Sequence, residues 1–460
     1  MSHPPLVLHD YQREHARILL ASLERHGVAK DGSDCGTGKT PVAAWVAHKY
    51  EAPMVVVVCP KIMIPTWEGW LARGGVTAFK VYGYEALRTG NRDLVDRHKL
   101  PGGRREYFTW NLQSGGLIIW DEDHNLAGLD TYNSKLSRAA TVQRYPQMFL
   151  GATSFTGPDK MNALGFALGF HKVTDFDSWC LQNGCRRDRF RKISFGNDPA
   201  VLDAIHQSIY KGVHPKGSRL RVSELGDKFP RNQVMFDLYK VDEPEQINRA
   251  YEELAQQLEE LDWKEAEDFD SALTLRLRAR QRAELYKVQV LEELTLSHLR
   301  EGYSVVVFVS FRDSLAALSE RLGAKGIGHR LVTGVESEAH RRERHAGIED
   351  FQANKVRVIL CIDSAGGVGI DLDDQHGDHP RVTLVNPSDN AVVFKQVLGR
   401  CARSSTRSPV LQKIVCASGT TEEVIYGNLT RKLNNISLIN DADLDPILPK
   451  LNIDSVVYKK

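Results

Sequence analysis

The octapeptide Ser33-Asp-Cys-Gly-Thr-Gly-Lys-Thr40 holds the residue types that grip a chain of phosphates. Gly36 and Gly38, around Thr37, let backbone N–H groups approach anionic oxygens closely, and a helix starting at the end of the loop adds a favourable dipole. Lys39 would reach the terminal phosphates of a nucleotide, and Thr40 would hold Mg²⁺ through its hydroxyl. The strict form of this loop has glycine where this chain has Ser33. Pro41 suits the first turn of the following helix, where its missing N–H costs nothing. Such a loop needs a carboxylate at the end of a neighbouring strand. Leu117-Ile-Ile-Trp-Asp-Glu-Asp-His124, about 80 residues downstream, supplies it. Asp121 would orient the metal, and Glu122 is placed to polarise an attacking water.

A second set of groups lies near the other end of the chain. Gln396-Val-Leu-Gly-Arg-Cys-Ala-Arg403 offers two cations for charge developing in a transition state. Helical spacing predicts Arg400 and Arg403 on one face, with Gln396 one turn earlier. Upstream, Ser364-Ala-Gly-Gly-Val-Gly-Ile-Asp-Leu372 has three glycines that allow close approach to phosphate. Arg186-Arg-Asp-Arg-Phe-Arg-Lys192 packs Arg186, Arg187, Arg189, Arg191 and Lys192 around one aromatic ring, a composition suited to phosphates and bases or to a solvated loop. Cys180 and Cys185 lie near His171 and His206 but lack a second close pair, so no zinc is expected. Cys35, inside the glycine-rich loop, is a candidate for oxidation or alkylation.

These groups need strands to hold them. Met54–Cys59, Leu117–Trp120 and Gln147–Gly151 are short apolar runs of the kind that form parallel strands covered on both faces. Val305–Val309, Val356–Ile362 and Val382–Val385 repeat the texture. Stretches with helical potential lie between the early runs, which predicts an α/β fold with doubly wound parallel sheets. From Asp242 to Leu299 the chain has no glycine and one early proline, and reads as long helices.

Composition bounds the partners. Lys plus Arg number 60 against 59 for Asp plus Glu, so the chain is not a polycation, although a local basic groove is compatible with that balance. Seven scattered cysteines give no disulfide framework and suggest a reducing compartment. The N-terminal residues lack an apolar signal core, and no run approaches the roughly 18 apolar residues that span a bilayer. A soluble intracellular protein with no membrane partner is expected.

In this order the elements resemble the motif series of superfamily-two helicases and translocases. Tyr11-Gln12 resembles the adenine-reading glutamine motif, SDCGTGKT motif I and CPKIMIPTW (59–67) motif Ia. DEDH (121–124) is similar to the DExH form of motif II, and Gly151-Ala-Thr153 to motif III. Val309-Ser-Phe311 resembles motif IV, SAGGVGIDL motif V and QVLGRCAR motif VI. CPKIMIPTW, the motif V glycines and GTTEEVI (419–425) bring the Swi/Snf-like branch closest. The segment RLRVSELGDKFP (219–230) resembles fork-remodelling (annealing) helicases, and compact phage-encoded helicases share the layout. Motif VI, ending Arg403-Ser-Ser, and motif III, without the usual Thr-Pro, depart from the Swi/Snf form and argue against nucleosome remodelling.

The resemblance implies two RecA-like lobes. Residues 1–160 would form an ATP-binding lobe, 161–300 a helical and partly basic insertion, and 301–460 a second lobe with a C-terminal extension. It implies ATP and Mg²⁺ as cofactors, with Gln12 reading adenine, Gly369 and Asp371 also at the nucleotide, and Arg400, Arg403 and Gln396 completing the site. Carried over by motif, Lys61, Thr153, Ser310, Thr333 and Ser364 would contact nucleic acid. The activity implied is an ATP-dependent helicase or translocase acting, as a monomer, on forked, junction or duplex DNA. An RNA helicase, an ATP-driven clamp and the motor subunit of a restriction system remain alternatives. A cytoplasmic setting follows, whether nucleoid-associated or in the cytoplasm of a virus's host.

Overall fold

Alternation within the apolar runs determines how the sheets are covered. The computed structural model describes residues 5–441, apart from 91–92, 100–105, 129, 153, 189–191, 227–228, 230, 260–265, 335–336, 364–369, 389 and 404. The chain divides into two compact units. The first comprises residues up to Gly226 together with the end of the last helix from Leu433, and the second comprises Asp227–Lys432. The stretch 161–300, expected as a separate insertion, is therefore shared between the two. Residues 161–226 complete the first unit, and 227–300 build into the second.

In the first unit, helix α1 (Asp10–His26) leads to strand β1 (Val28–Asp31), the glycine-rich loop and helix α2 (Lys39–Tyr50). Strands β2 (Val55–Cys59), β3 (Phe79–Gly83), β4 (Leu117–Asp121), β5 (Gln147–Leu150) and β6 (Gly217–Ser218) complete a parallel sheet of order β6-β1-β5-β4-β2-β3. Val55 and Val57 pack with Ala43, Val46 and Leu19 on one face, while Val56 and Val58 pack with Trp120, Phe149 and Leu136 on the other. Successive side chains alternate sides, so an all-apolar strand requires cover on both faces. Each buried valine contributes roughly 1.5–3 kcal/mol of transfer free energy. The register aligns Asp31 with Leu150, Asp121 with Leu150 and Asp31 with Ser218. All strands run the same way, so the glycine-rich loop, the acidic run and the turn at Gly151 leave from one edge, where α/β folds bind ligands.

Between β5 and β6, helix α3 (Phe176–Gln182) precedes a hairpin of Cys185–Arg187 with Ile193–Phe195. Phe176, Cys180 and Cys185 form its small core with Trp179, Ile193 and Phe195 around them.

The second unit repeats the plan. Strands β7 (Asn232–Tyr239), β8 (Ser304–Val309), β9 (Arg330–Val332), β10 (Val358–Ile362), β11 (Arg381–Val385) and β12 (Val410–Ala417) form a parallel sheet of order β7-β12-β11-β8-β10-β9. The glycine-free stretch forms α4 (Pro244–Glu259), α5 (Ala266–Leu285) and α6 (Val288–Arg300), and α6 packs Leu291 and Leu294 against Val305 and Val307. Helices α7 (Arg312–Ala324), α8 (Glu338–Gln352), α9 (Ala391–Leu398) and α10 (Glu422–Asp441) follow. Val309 aligns with Ile362, Val332 with Cys361 and Phe308 with Val385. Ser310, Thr333, Asp363 and Asn386 consequently emerge along one edge.

Candidate active site

The glycine-rich loop is held from below and from the side. Gly36 and Gly38 have φ of 83° and 90°, a region that glycine enters without strain, and α2 begins at once with Lys39 and Thr40. Lys39 Nζ turns into the loop and donates to the carbonyls of Ser33 (2.9 Å) and Asp34 (3.1 Å). Gln12 of α1, 2% exposed, donates from Nε2 to the Thr37 carbonyl at 2.8 Å and accepts from His9 N at 3.0 Å. Its side chain therefore braces the loop, leaving a second amide hydrogen for any other partner.

Ser33 explains the departure from glycine. Its hydroxyl accepts from Leu220 N at 3.0 Å and lies 3.2 Å from His15 Nε2, while its N–H donates to Asp31 Oδ1 at 2.9 Å. His15 bridges Ser218 Oγ (2.8 Å) and Asp31 Oδ2 (3.2 Å). Burial alone would raise the Asp31 carboxyl, but His15, Lys39 and the Ser33 N–H hold it well below the usual carboxylate range. Asp34 accepts from Arg219 Nη2 at 2.8 Å and Val222 N at 3.0 Å, and Arg219 also donates to the Gly32 carbonyl. No role was expected for His15, Asp31, Asp34, Ser218 or Arg219, although Asp34 and Arg219 lie within the segments that carry the resemblance. Asp34 sat in plain view inside the octapeptide, but its partner comes from a distant segment, which no local pattern reveals.

The acidic run forms the second wall. Asp121 closes β4, and its carboxylate accepts from Trp67 Nε1 at 2.8 Å and Glu122 N at 3.0 Å. Burial, and then the neighbouring Glu122, push its carboxyl up to about 7. Glu122 has φ 53° and ψ 59°, a left-handed conformation that costs a non-glycine residue about 1–3 kcal/mol and is common at functional sites. Its carboxylate lies 3.4 Å from His124 Nδ1. Beneath them, Lys30 and Asp123 form a fully buried pair at 3.1 Å, and Lys30 Nζ also donates to the carbonyls of Asp31 (2.8 Å) and Gly151 (2.9 Å).

A nucleoside triphosphate fits this donor set. The loop presents N–H groups, an ammonium and a helix N-terminus to anionic oxygens. A buried carboxyl crowded by a second acid is short of positive charge, a deficit that a divalent cation on Asp121 and Thr40 would relieve.

In the second unit one expectation changes. Helix α9 ends at Leu398, capped at Gly399, whose N–H bonds the carbonyls of Lys395 and Gln396. Arg400 and Arg403 thus lie beyond the helix rather than on one of its faces. Arg400 is 5% exposed and donates to the carbonyls of Gln396 and Ile370, both at 3.1 Å. Arg403 pairs with the exposed Asp371 at 2.7 Å. Gln396 is buried. Gly369 lies outside the described residues.

Of the residues expected at nucleic acid, Lys61 is exposed in the turn after β2. Ser310 donates from Oγ to Asp363 Oδ2 at 2.7 Å, and Thr333 is half-buried after β9. Arg186 and Arg187 are exposed on the hairpin, with Arg187 paired to Asp177 at 2.9 Å. Thr153, Ser364, Arg189 and Arg191 lie outside the described residues. Among the described residues, no helix is long and apolar enough to cross a membrane.

The helicase conserved C-terminal domain matches residues 286–405. Over 467 aligned residues the chain is 32% identical to L364 of Acanthamoeba polyphaga mimivirus, named for ATP-dependent RNA helicase activity, covering 95% of this chain and 84% of that protein. It is 24% identical over 142 residues to the DNA repair and recombination protein RAD26 of Saccharomyces cerevisiae, covering 30% of this chain and 13% of RAD26. Its fold is similar to that of S. cerevisiae Dbp5 bound to RNA and ADP BeF3, with a TM-score of 0.50 and 13% identity over 93% of this chain and 88% of that one. Two parallel-sheet units of RecA-like form, a glycine-rich loop and an acidic strand end on one sheet edge, and similarity along nearly the whole chain to a viral helicase lead to one conclusion: this chain belongs to the superfamily-two helicases and is an ATP-hydrolysing enzyme.

Proposed function

We propose that this enzyme is a DNA-directed motor of the Swi/Snf-like branch that works at forked or branched DNA, converting ATP hydrolysis into strand separation or branch migration. The observation that carries a backbone-tracking motor is the edge row of the second unit. Ser310, Thr333, Asp363 and Asn386 leave parallel strands side by side. The Thr333 hydroxyl and the second amide hydrogen of Asn386 are short donors that suit phosphate oxygens without reading bases, while Asp363 accepts from the Ser310 hydroxyl. DNA is favoured by the motif Ia and V patterns and by the similarity to a protein named for DNA repair and recombination.

In this reading Lys39 and the N–H groups of residues 36–38 hold the β- and γ-phosphates, and Thr40 and Asp121 hold Mg²⁺, which supplies charge neutralisation there. Glu122 orients the attacking water, its carboxylate set by the left-handed turn. Gln12 keeps the loop in shape and offers its remaining amide hydrogen to adenine. Arg403 supplies charge to the transition state, and Arg400 positions it by tying motif VI to motif V at Ile370. Lys61, Arg186 and Arg187 add phosphate contacts.

A second reading is an RNA helicase, favoured by the name of the viral relative that spans 95% of this chain. Displacement of a labelled strand separates the two. A DNA motor releases the strand from forks and four-way junctions faster than from blunt duplex. Release from RNA duplexes alone would replace the DNA reading.

A further inference from the structure

Helix α5 carries arginine at every second position from 276 to 282. A helix advances 100° per residue, so Arg276 and Arg280 share one face and Arg278 and Arg282 another. On the second face, Arg282 is ion-paired with Glu253 of α4. The first face leads to the edge row of the sheet. Arg280 Nη2 lies 3.4 Å from Ser310 Oγ, and its guanidinium carbon sits 5.8 Å from the centre of the Phe311 ring. Arg276, one turn earlier, is exposed. Neither forms an ion pair among the described residues.

What separates this face from a solvated stripe of arginines is Glu284, one turn beyond Arg280. Glu284 is 5% exposed, and its carboxylate accepts from Ser310 N (2.9 Å), Phe311 N (3.1 Å) and Asn386 Nδ2 (3.3 Å). Backbone N–H bonds to an ionised acceptor are among the stronger hydrogen bonds, and here they latch α5 onto the turn that follows β8. The acids nearby are already engaged. Asp363 accepts from Ser310, Asp313 accepts from Gln281, and Glu284 is spent on the latch. Arg280 is therefore held in place, Arg276 follows one turn away on the same face, and neither is neutralised by an ion pair among the described residues, which suits an anion from outside the protein.

We propose that Arg276 and Arg280 form a phosphodiester-binding pair that continues the row begun by Ser310, each guanidinium taking a phosphate of one nucleic-acid strand, with Glu284 as the residue that positions them. The proposal rests on the reading that the edge carrying Ser310 faces nucleic acid. Contacts of this type are sequence-blind, and each makes binding more salt-dependent.

The test uses the full chain and fluorescent single-stranded DNA, duplex DNA and single-stranded RNA, with affinity measured across a range of salt. Arg276→Gln with Arg280→Gln is expected to weaken binding about tenfold and to lower the magnitude of the salt slope by about two, with singles intermediate. Arg278→Gln, on the other face, should leave both unchanged, and thermal melting checks that the variants fold. The probe that wild type binds most tightly identifies DNA or RNA as the source of the phosphodiester. Unchanged affinity and slope in the double variant would overturn the pair alone. A wild-type chain that bound none of the three probes would overturn the reading beneath it.

Discussion

Arg219 reaches back 185 positions to Asp34, donating Nη2 to Oδ1 at 2.8 Å, and so ties the phosphate loop to the far edge of its own sheet. Both partners are largely shielded, at 7% and 21% side-chain exposure. The same short segment gives Leu220 N to Ser33 Oγ and Val222 N to Asp34 Oδ2. The loop is therefore shaped before any nucleotide arrives, which removes part of the ordering cost of binding.

Arg219→Ala should loosen that shape. A charge-assisted hydrogen bond at such a site is worth about 1.5–3 kcal/mol, so the KM for ATP should rise roughly tenfold or more. Steady-state kinetics with a melting curve check this, and a KM equal to wild type would contradict it.

Lys30 and Asp123 should behave as a coupled pair. Removing one partner of a buried ion pair typically costs 3–5 kcal/mol, because the other charge is stranded. Lys30→Met and Asp123→Asn should each lower the melting temperature sharply, and the double variant should lose less than the sum of the two. Burial already lowers the Lys30 pKa against the pull of Asp123 and Asp31. Additive losses would show that the pair is not coupled.

The two arginines of motif VI should separate. Arg400→Ala removes the groups that bond two backbone carbonyls in a buried site and should destabilise the second unit. Arg403→Ala should keep the melting temperature and lose at least tenfold in turnover with little change in nucleotide affinity. Normal turnover in Arg403→Ala would remove it from the chemistry.

Asp374 sets a pH dependence. Burial would raise its carboxyl, but Ser408 Oγ (2.6 Å) and the N–H groups of His379, Gly377 and His376 bring it down to about 2. An acid depressed in the folded state contributes stability above its unfolded pKa of about 4, and that contribution fades as pH falls through the folded value. Ser408→Ala should therefore lower the melting temperature at pH 6, with the gap to wild type narrowing between about pH 4 and pH 2. A constant gap across that range would contradict the assignment.

Strands β2, β4, β5, β8, β10 and β11 were legible because each carries its own evidence in an apolar run such as Val55–Cys59 or Val305–Val309. Strands β1, β3, β6, β7, β9 and β12 are shorter or mixed with polar residues and were not. The glycine-rich turn before a helix and the placing of Asp121 at a strand end were legible for a similar reason, since each signal is packed into eight neighbouring residues. Three further things were not. The helix expected to carry Arg400 and Arg403 stops at Gly399, where the glycine cap outweighs the 3.6-residue pattern. The braces His15, Asp31, Ser218 and Arg219 meet only through sheet register, which joins β1 to β6 across the intervening chain. The stretch 161–300 was expected as one insertion, with the glycine-free run 242–299 inside it, yet residues 161–226 complete one unit and 227–300 the other because burial, not composition, decides which core a helix joins.

The central claim is that ATP turnover in this enzyme answers to nucleic acid, and most strongly to branched DNA. The direct measurement is the rate of ATP hydrolysis with single-stranded DNA, plain duplex, forks, four-way junctions and RNA, using Lys39→Ala to define the background. Stimulation of tenfold or more by forks or junctions over plain duplex, abolished in Lys39→Ala, is the predicted result. Equal rates with and without every nucleic acid would contradict the account, and stimulation by RNA alone would transfer the motor from DNA to RNA.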